Sequence, residues 1–87
     1  MNYVLTIICS PKRYNKQLEW IKKTIGLKHY LDLKDALLLN QADFQFDSIS
    51  EMNKAIIAVE QLSLEISTVP LKVNDDGSYE IIELSRE

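Results

Sequence analysis

LKHYLDLKDALLLNQ, residues 27–41, is the stretch on which the fold turns. Leu31, Lys34, Asp35 and Leu38, with Ala36, Leu37 and Leu39, have helical spacing. Leu and Ala favour helix and β-branched residues are absent. The preferred reading is a short helix from about Asp32 to Asn40; the competing one is a strand over His29–Asp35. With the helix, the chain is a two-layer α/β (α+β) sandwich, β-α-α-β-α-β, with a C-terminal β-hairpin. With the strand, it becomes a ferredoxin-like βαββαβ domain, as in small-molecule-sensing regulatory domains that often dimerise.

The neighbouring segments fit either plan. Tyr3–Cys9 is apolar on both faces, with Val4 and Ile8 on one and Leu5, Ile7 and Cys9 on the other, which suits a central strand. Ser10-Pro11 reads as a helix start, and Gly26 as its stop after Ile25. Tyr14, Leu18, Ile21 and Ile25 form one core-facing stripe. Lys12, Lys16 and Lys23 lie nearly opposite, and Trp20 lies between, flanked by Arg13 and Thr24. Ala42–Phe46 alternates as a half-buried strand with Phe44 and Phe46 inward. Ser48 and Glu51 form a capping box for a helix over 49–62, with Ile57 off its core stripe. Leu64–Val69 reads as a strand, and Pro70 demotes the residues after it to an edge or bend. Leu71–Val73 and Tyr79–Leu84 flank the turn residues 74–78. Inward alternation shifting from Tyr79/Ile81 to Ile82/Leu84 suggests a bulge. The 87 residues form a single domain, with 1–68 as the core sandwich and 69–87 as the hairpin extension.

Charge is sorted along the chain. Residues 1–34 hold seven Lys/Arg against two acids, and residues 35–87 three against eleven. A polarised molecule of this kind suggests a partner for its basic face. Apolar runs such as Ile7–Cys9 and Ala36–Leu39 are far short of the ~20 residues of a membrane span. No signal peptide is visible, so a cytoplasmic protein without membrane association is expected.

No catalytic set stands out. Cys9 is the sole cysteine, and only Ser10, Pro11 and Lys12 separate it from Arg13, too few for a phosphatase-type loop. It reads as a small core residue. His29 is the sole histidine and reads as a surface loop residue. Neither a metal cluster nor a glycine-rich phosphate loop can be assembled. The acidic residues Asp75, Asp76, Glu80, Glu83 and Glu87 read as solvated charge on an edge hairpin. No enzyme activity, cofactor or metal is therefore expected.

Asn15-Lys16, Ile21-Lys22 and Leu33-Lys34-Asp35-Ala36, followed by Ser50 at the next helix, resemble the C-terminal domain of the bacterial ribosomal stalk protein. The order of elements is also similar to that of the N-end-rule adaptor of the Clp protease. The resemblance spans at most residues 3–67. Gly26 remains of the family's glycines, and Lys28–Asp32 stands where a Gly-rich turn would be. The resemblance implies protein binding through the first helix pair, with Lys16, Lys22 and Lys34 at the matching lysine positions.

The leading expectation is a small non-catalytic protein-binding module, an adaptor or an inhibitor/immunity-type protein. Lys12, Arg13, Lys16, Trp20, Lys22, Lys23 and Lys34 are its candidate docking residues, and another protein with an acidic surface is its partner. Nucleic-acid binding through the same helix comes second, opposed by a pI near 5.1. A ligand-sensing dimeric regulatory domain and homodimerisation are further alternatives, and a Cys9-dependent thiol enzyme ranks last.

Overall fold

The computed structural model describes residues 3–31, 40–62 and 64–82. Strands β1 (Tyr3–Ile8), β2 (Tyr30–Leu31), β3 (Gln41–Phe46), β4 (Ser67–Val73) and β5 (Tyr79–Ile81) form one sheet. Its order is β2-β3-β1-β4-β5 and every pairing is antiparallel. Helices α1 (Tyr14–Ile25) and α2 (Ile49–Glu60) supply the second layer. The expected two-layer α+β sandwich with a C-terminal hairpin is therefore present. Tyr30–Leu31 is a strand, so the described elements before β5 follow the βαββαβ order and directions of the ferredoxin-like alternative. The helix read over Asp32–Asn40 falls, apart from its last residue, outside the described residues.

β1 is central because it has apolar residues to bury and partners on both edges. Leu5, Ile7 and Cys9 meet Leu18 and Ile21 of α1, Met52, Ala55, Ile56 and Val59 of α2, and Ala42, Phe44 and Phe46 of β3 in one core. Leu5 lies opposite Phe44, and Ile7 opposite Ala42. On the other face, Thr6 lies opposite Asp43. Thr6 Oγ1 donates to Asp43 Oδ1 at 2.6 Å, and Gln41 Nε2 donates to both carboxylate oxygens at 3.2 and 3.1 Å. Asp43 is only 4 % exposed, although the alternation of β3 sets it on the side expected to face solvent. Its three hydrogen bonds are what make that burial tolerable.

Several boundaries differ from expectation. Ser10 does not cap α1. Arg13 N–H donates to Ser10 O at 3.1 Å, closing a turn over Pro11–Arg13, and Arg13 becomes the N-cap without a side-chain cap bond. Gly26 does end α1, at φ 108°, with its N–H on Lys22 O at 2.8 Å. The Ser48 cap forms as expected, its Oγ accepting from Glu51 N–H at 3.2 Å.

Pro70 does not break its strand. β4 runs continuously through it, with Pro70 opposite Leu5. The Pro70 carbonyl accepts from Ile82 N–H at 2.9 Å, so this residue turns its hydrogen-bonding side toward β5, not β1. The missing N–H falls just beyond the end of β5, where it costs the β1 ladder nothing. Nor does a bulge appear within β5, whose register is regular from Val73↔Tyr79 to Leu71↔Ile81. Tyr79 and Ile81 are exposed, not inward. They share the face of Leu71 and Val73, on the side away from the helices. Ile82 packs against the core, and Leu84 lies outside the described residues.

His29 is no free loop residue. Half-buried, its Nδ1 lies 2.8 Å from Gln45 O and its ring stacks on Phe46 at 4.5 Å. Gly26 turns the chain so that Leu27–His29 can fold this ring onto β3.

Phe44 is fully buried at the centre of the sheet, whereas Ile57 is half exposed. Phe44→Ala is expected to cost about 3–5 kcal/mol in urea unfolding, and Ile57→Ala no more than about 0.5 kcal/mol.

Candidate functional site

The end of β1 feeds directly into the basic segment. Beyond Ile8, the Cys9 N–H donates to Asn40 O at 2.9 Å and the Asn40 side-chain amide donates to Cys9 O at 2.6 Å. This pair of hydrogen bonds ties the exit of β1 to the entrance of β3. One residue later, Ser10 N–H donates to Gln17 Oε1 at 3.0 Å. Gln17 is buried on α1, so its amide anchors the Pro11–Arg13 turn against the helix. Tyr14 adds a third tie, its hydroxyl donating to Gln41 O at 3.3 Å.

These ties shape a groove of about 860 Å³. Lys12, Arg13, Lys16 and Trp20 line one side, and Asn40 and Leu64 contribute from the strand side. Trp20 is 55 % exposed, and Lys12, Arg13 and Lys16 are exposed as well. Among the described residues, no carboxylate lies within ion-pair distance of these three cations. The first turn of α1 also lacks acidic residues and a side-chain cap. Its free N–H groups therefore add partial positive charge to that of the cations. The result is a positive groove, lined in part by the Trp20 indole, next to the end of β1.

The remaining candidates are not part of it. Lys22 and Lys23 border a separate depression with Glu19, Gly26 and Leu27 at the C-terminal end of α1. Lys22 is half-buried, its ammonium 4.1 Å from the centre of the Tyr30 ring in a cation–π contact. That contact occupies one face of the charge in holding α1 to β2. Lys34 lies outside the described residues. The seven expected docking residues thus divide into one group of four, one pair and one position not described.

Pro11, Tyr14 and Asn15 also line the groove as chain neighbours of the expected residues, whereas Gln17, Asn40 and Leu64 are lining residues that sequence reasoning gave no part in it. Gln17 sits beside the apolar stripe of α1 on the helical wheel, and a polar residue there is the one signal that marked it. Asn40 and Leu64 reach the groove through tertiary contacts between segments distant in sequence, for which no local pattern exists.

Cys9 lies behind the groove and is 3 % exposed. Burial pushes its thiol above the ordinary cysteine range, the opposite of what an activated nucleophile needs. Burial likewise raises the Tyr14 phenol, helped by repulsion from Tyr30, Cys9 and Asp43. Among the described residues, no group of His, Cys, Asp and Glu is arranged to hold a metal ion, and no helix is long and apolar enough to cross a membrane. Comparison with protein-family models, with curated proteins and with solved structures finds no match for this chain.

Two measurements test this arrangement. Gln17→Ala leaves the Ser10 N–H without its buried acceptor, and is expected to cost about 1–3 kcal/mol of stability. The raised Cys9 pKa favours the neutral thiol in the folded state. Its stabilising contribution is complete below the unfolded thiol pKa of ~8.5 and is lost as pH rises through the folded value. The urea midpoint should accordingly fall above about pH 8.5, and fall less steeply in Cys9→Ala.

Proposed function

We propose that this chain is a non-catalytic protein-binding module, of adaptor or inhibitor type, which docks an acidic surface of another protein in the groove along the first half of α1. The observation that carries the reading is the meeting of Lys12, Arg13 and Lys16, none paired to a described carboxylate, around the half-exposed indole of Trp20. An exposed Trp amid cations has the composition of an interface hot spot, where one aromatic anchor supplies most of the affinity and charges set orientation. The stalk-like Asn15-Lys16 pair supports the same reading, because the resemblance makes Lys16 a partner-contacting lysine.

Nucleic acid is the second reading, since an indole among cations also suits base stacking. The chain's net charge of −3 opposes it, as acidic surfaces elsewhere repel phosphates.

The test is affinity capture or crosslinking from the native host with the wild-type chain and with Trp20→Ala/Lys16→Glu. A partner retained by the wild type should be lost from the double variant. Undiminished capture by the variant overturns the reading. A fluorescence titration with single-stranded oligonucleotides at low salt separates the alternatives. Little binding is expected, whereas tight binding that falls steeply with added salt favours nucleic acid.

A further inference from the structure

Among the described residues, β5 is the outermost strand on its side of the sheet, and Tyr79, Glu80 and Ile81 are all exposed. The register fixes where their backbone groups point. Asn74 N–H donates to Ser78 O, and Ile82 N–H to Pro70 O, each at 2.9 Å, while Lys72 stands opposite Glu80. Positions 78, 80 and 82 therefore turn their amides and carbonyls toward β4. Orientation alternates along an antiparallel strand, so the N–H and C=O groups of Tyr79 and Ile81 turn outward, away from the sheet. The Tyr79 and Ile81 side chains, 62 % and 73 % exposed, flank this free edge on the face away from the helices. Glu80 projects on the other face, across from Lys72.

An unpaired edge bearing exposed apolar side chains is a template for another strand, and Glu80 decides which. A second copy, pairing antiparallel through the outward groups, would set each Tyr79 against the other Ile81. Glu80 would then stand directly against its own counterpart, at the close, non-hydrogen-bonded spacing of about 4.5 Å between Cα atoms. Like charges in that position repel. The exposed Asp75 and Asp76 in the adjoining turn add to the negative charge. A cation on the incoming strand removes the conflict.

We propose that the outer edge of β5 is a strand-addition site for an extended segment of another polypeptide, in which a Lys or Arg lies between two apolar residues. The cation stands against Glu80, and the apolar neighbours cover Tyr79 and Ile81 on the opposite face. This site is distinct from the α1 groove, and its partner chemistry is opposite in sign.

The probe is a short blocked peptide centred on Val-Arg-Val, added to the isotopically labelled chain and followed by amide hydrogen exchange. Saturating peptide is expected to slow exchange at Tyr79 and Ile81 by about tenfold or more, since each outward N–H gains an acceptor. Ile81→Pro removes an outward donor without touching a β4–β5 bond. It should weaken binding about tenfold while leaving the β1–β4 amide resonances in place. Glu80→Arg should weaken the Val-Arg-Val peptide at least about threefold and favour a Val-Glu-Val peptide by a similar factor, which tests the site independently of the proline variant. The proposal is overturned if the peptide leaves exchange at Tyr79 and Ile81 unchanged. It is equally overturned if binding ignores both substitutions, or if sedimentation shows that the wild-type chain alone self-associates with those two amides protected.

Discussion

The fold depends on β1 being pinned between β3 and β4 with Leu5 and Ile7 turned toward the helices. Side chains alternate along a strand, so a slip of one residue would send both to the wrong face. Two features oppose that slip. Fully buried Phe44 packs opposite Leu5, and on the other face the Thr6 hydroxyl meets the Asp43 carboxylate. The second acts as a register lock. In any shifted pairing the buried carboxylate would lose its 2.6 Å donor, and an unsatisfied buried charge costs far more than a satisfied one contributes. The cross-strand pair therefore specifies one alignment of the sheet as well as stabilising it.

The groove inherits its shape from that alignment. Where β1 stops, the Cys9–Asn40 pair extends the ladder by one step, and the Gln17 amide fixes the turn leading into α1. The backbone beneath the cations is held by buried or half-buried hydrogen bonds, while the cationic side chains above it are exposed. That combination suits recognition, because the scaffold loses little conformational entropy when the surface is covered. Lys22 illustrates the contrast. It has the charge of its neighbours, but its place over the Tyr30 ring joins secondary elements together.

Much of this was legible in the sequence because it was written in local periodicity. The stripe of α1, the Ser48 cap, the two-sided apolar character of β1 and the inward Phe44 and Phe46 all follow from spacing. What was illegible depended on partners distant in the chain. Nothing near Asp43 announced that Thr6 would bury it. Pro70 read as a breaker because its neighbours could not reveal that its missing N–H faces the end of β5. Tyr30–Leu31 is a strand of two residues, too short for any alternation to show. A helical wheel set Lys12, Arg13, Lys16 and Lys23 around Trp20, yet Lys12 and Arg13 precede α1, Lys23 borders a different depression, and Asn40 and Leu64 also line the groove.

The groove opens where β1 ends, and the acidic hairpin turn lies beyond Lys72, which pairs with Tyr3 at the strand's beginning. Six residues of strand separate these ends by about 20 Å, more than twice the ~8 Å over which charges feel one another at physiological ionic strength. Electrically, the molecule behaves in a cell as two short-range poles rather than one long dipole. A compact anionic surface that covers only the first pole is scarcely turned aside by the second, whereas a polyanion long enough to reach both meets the repulsion of the second.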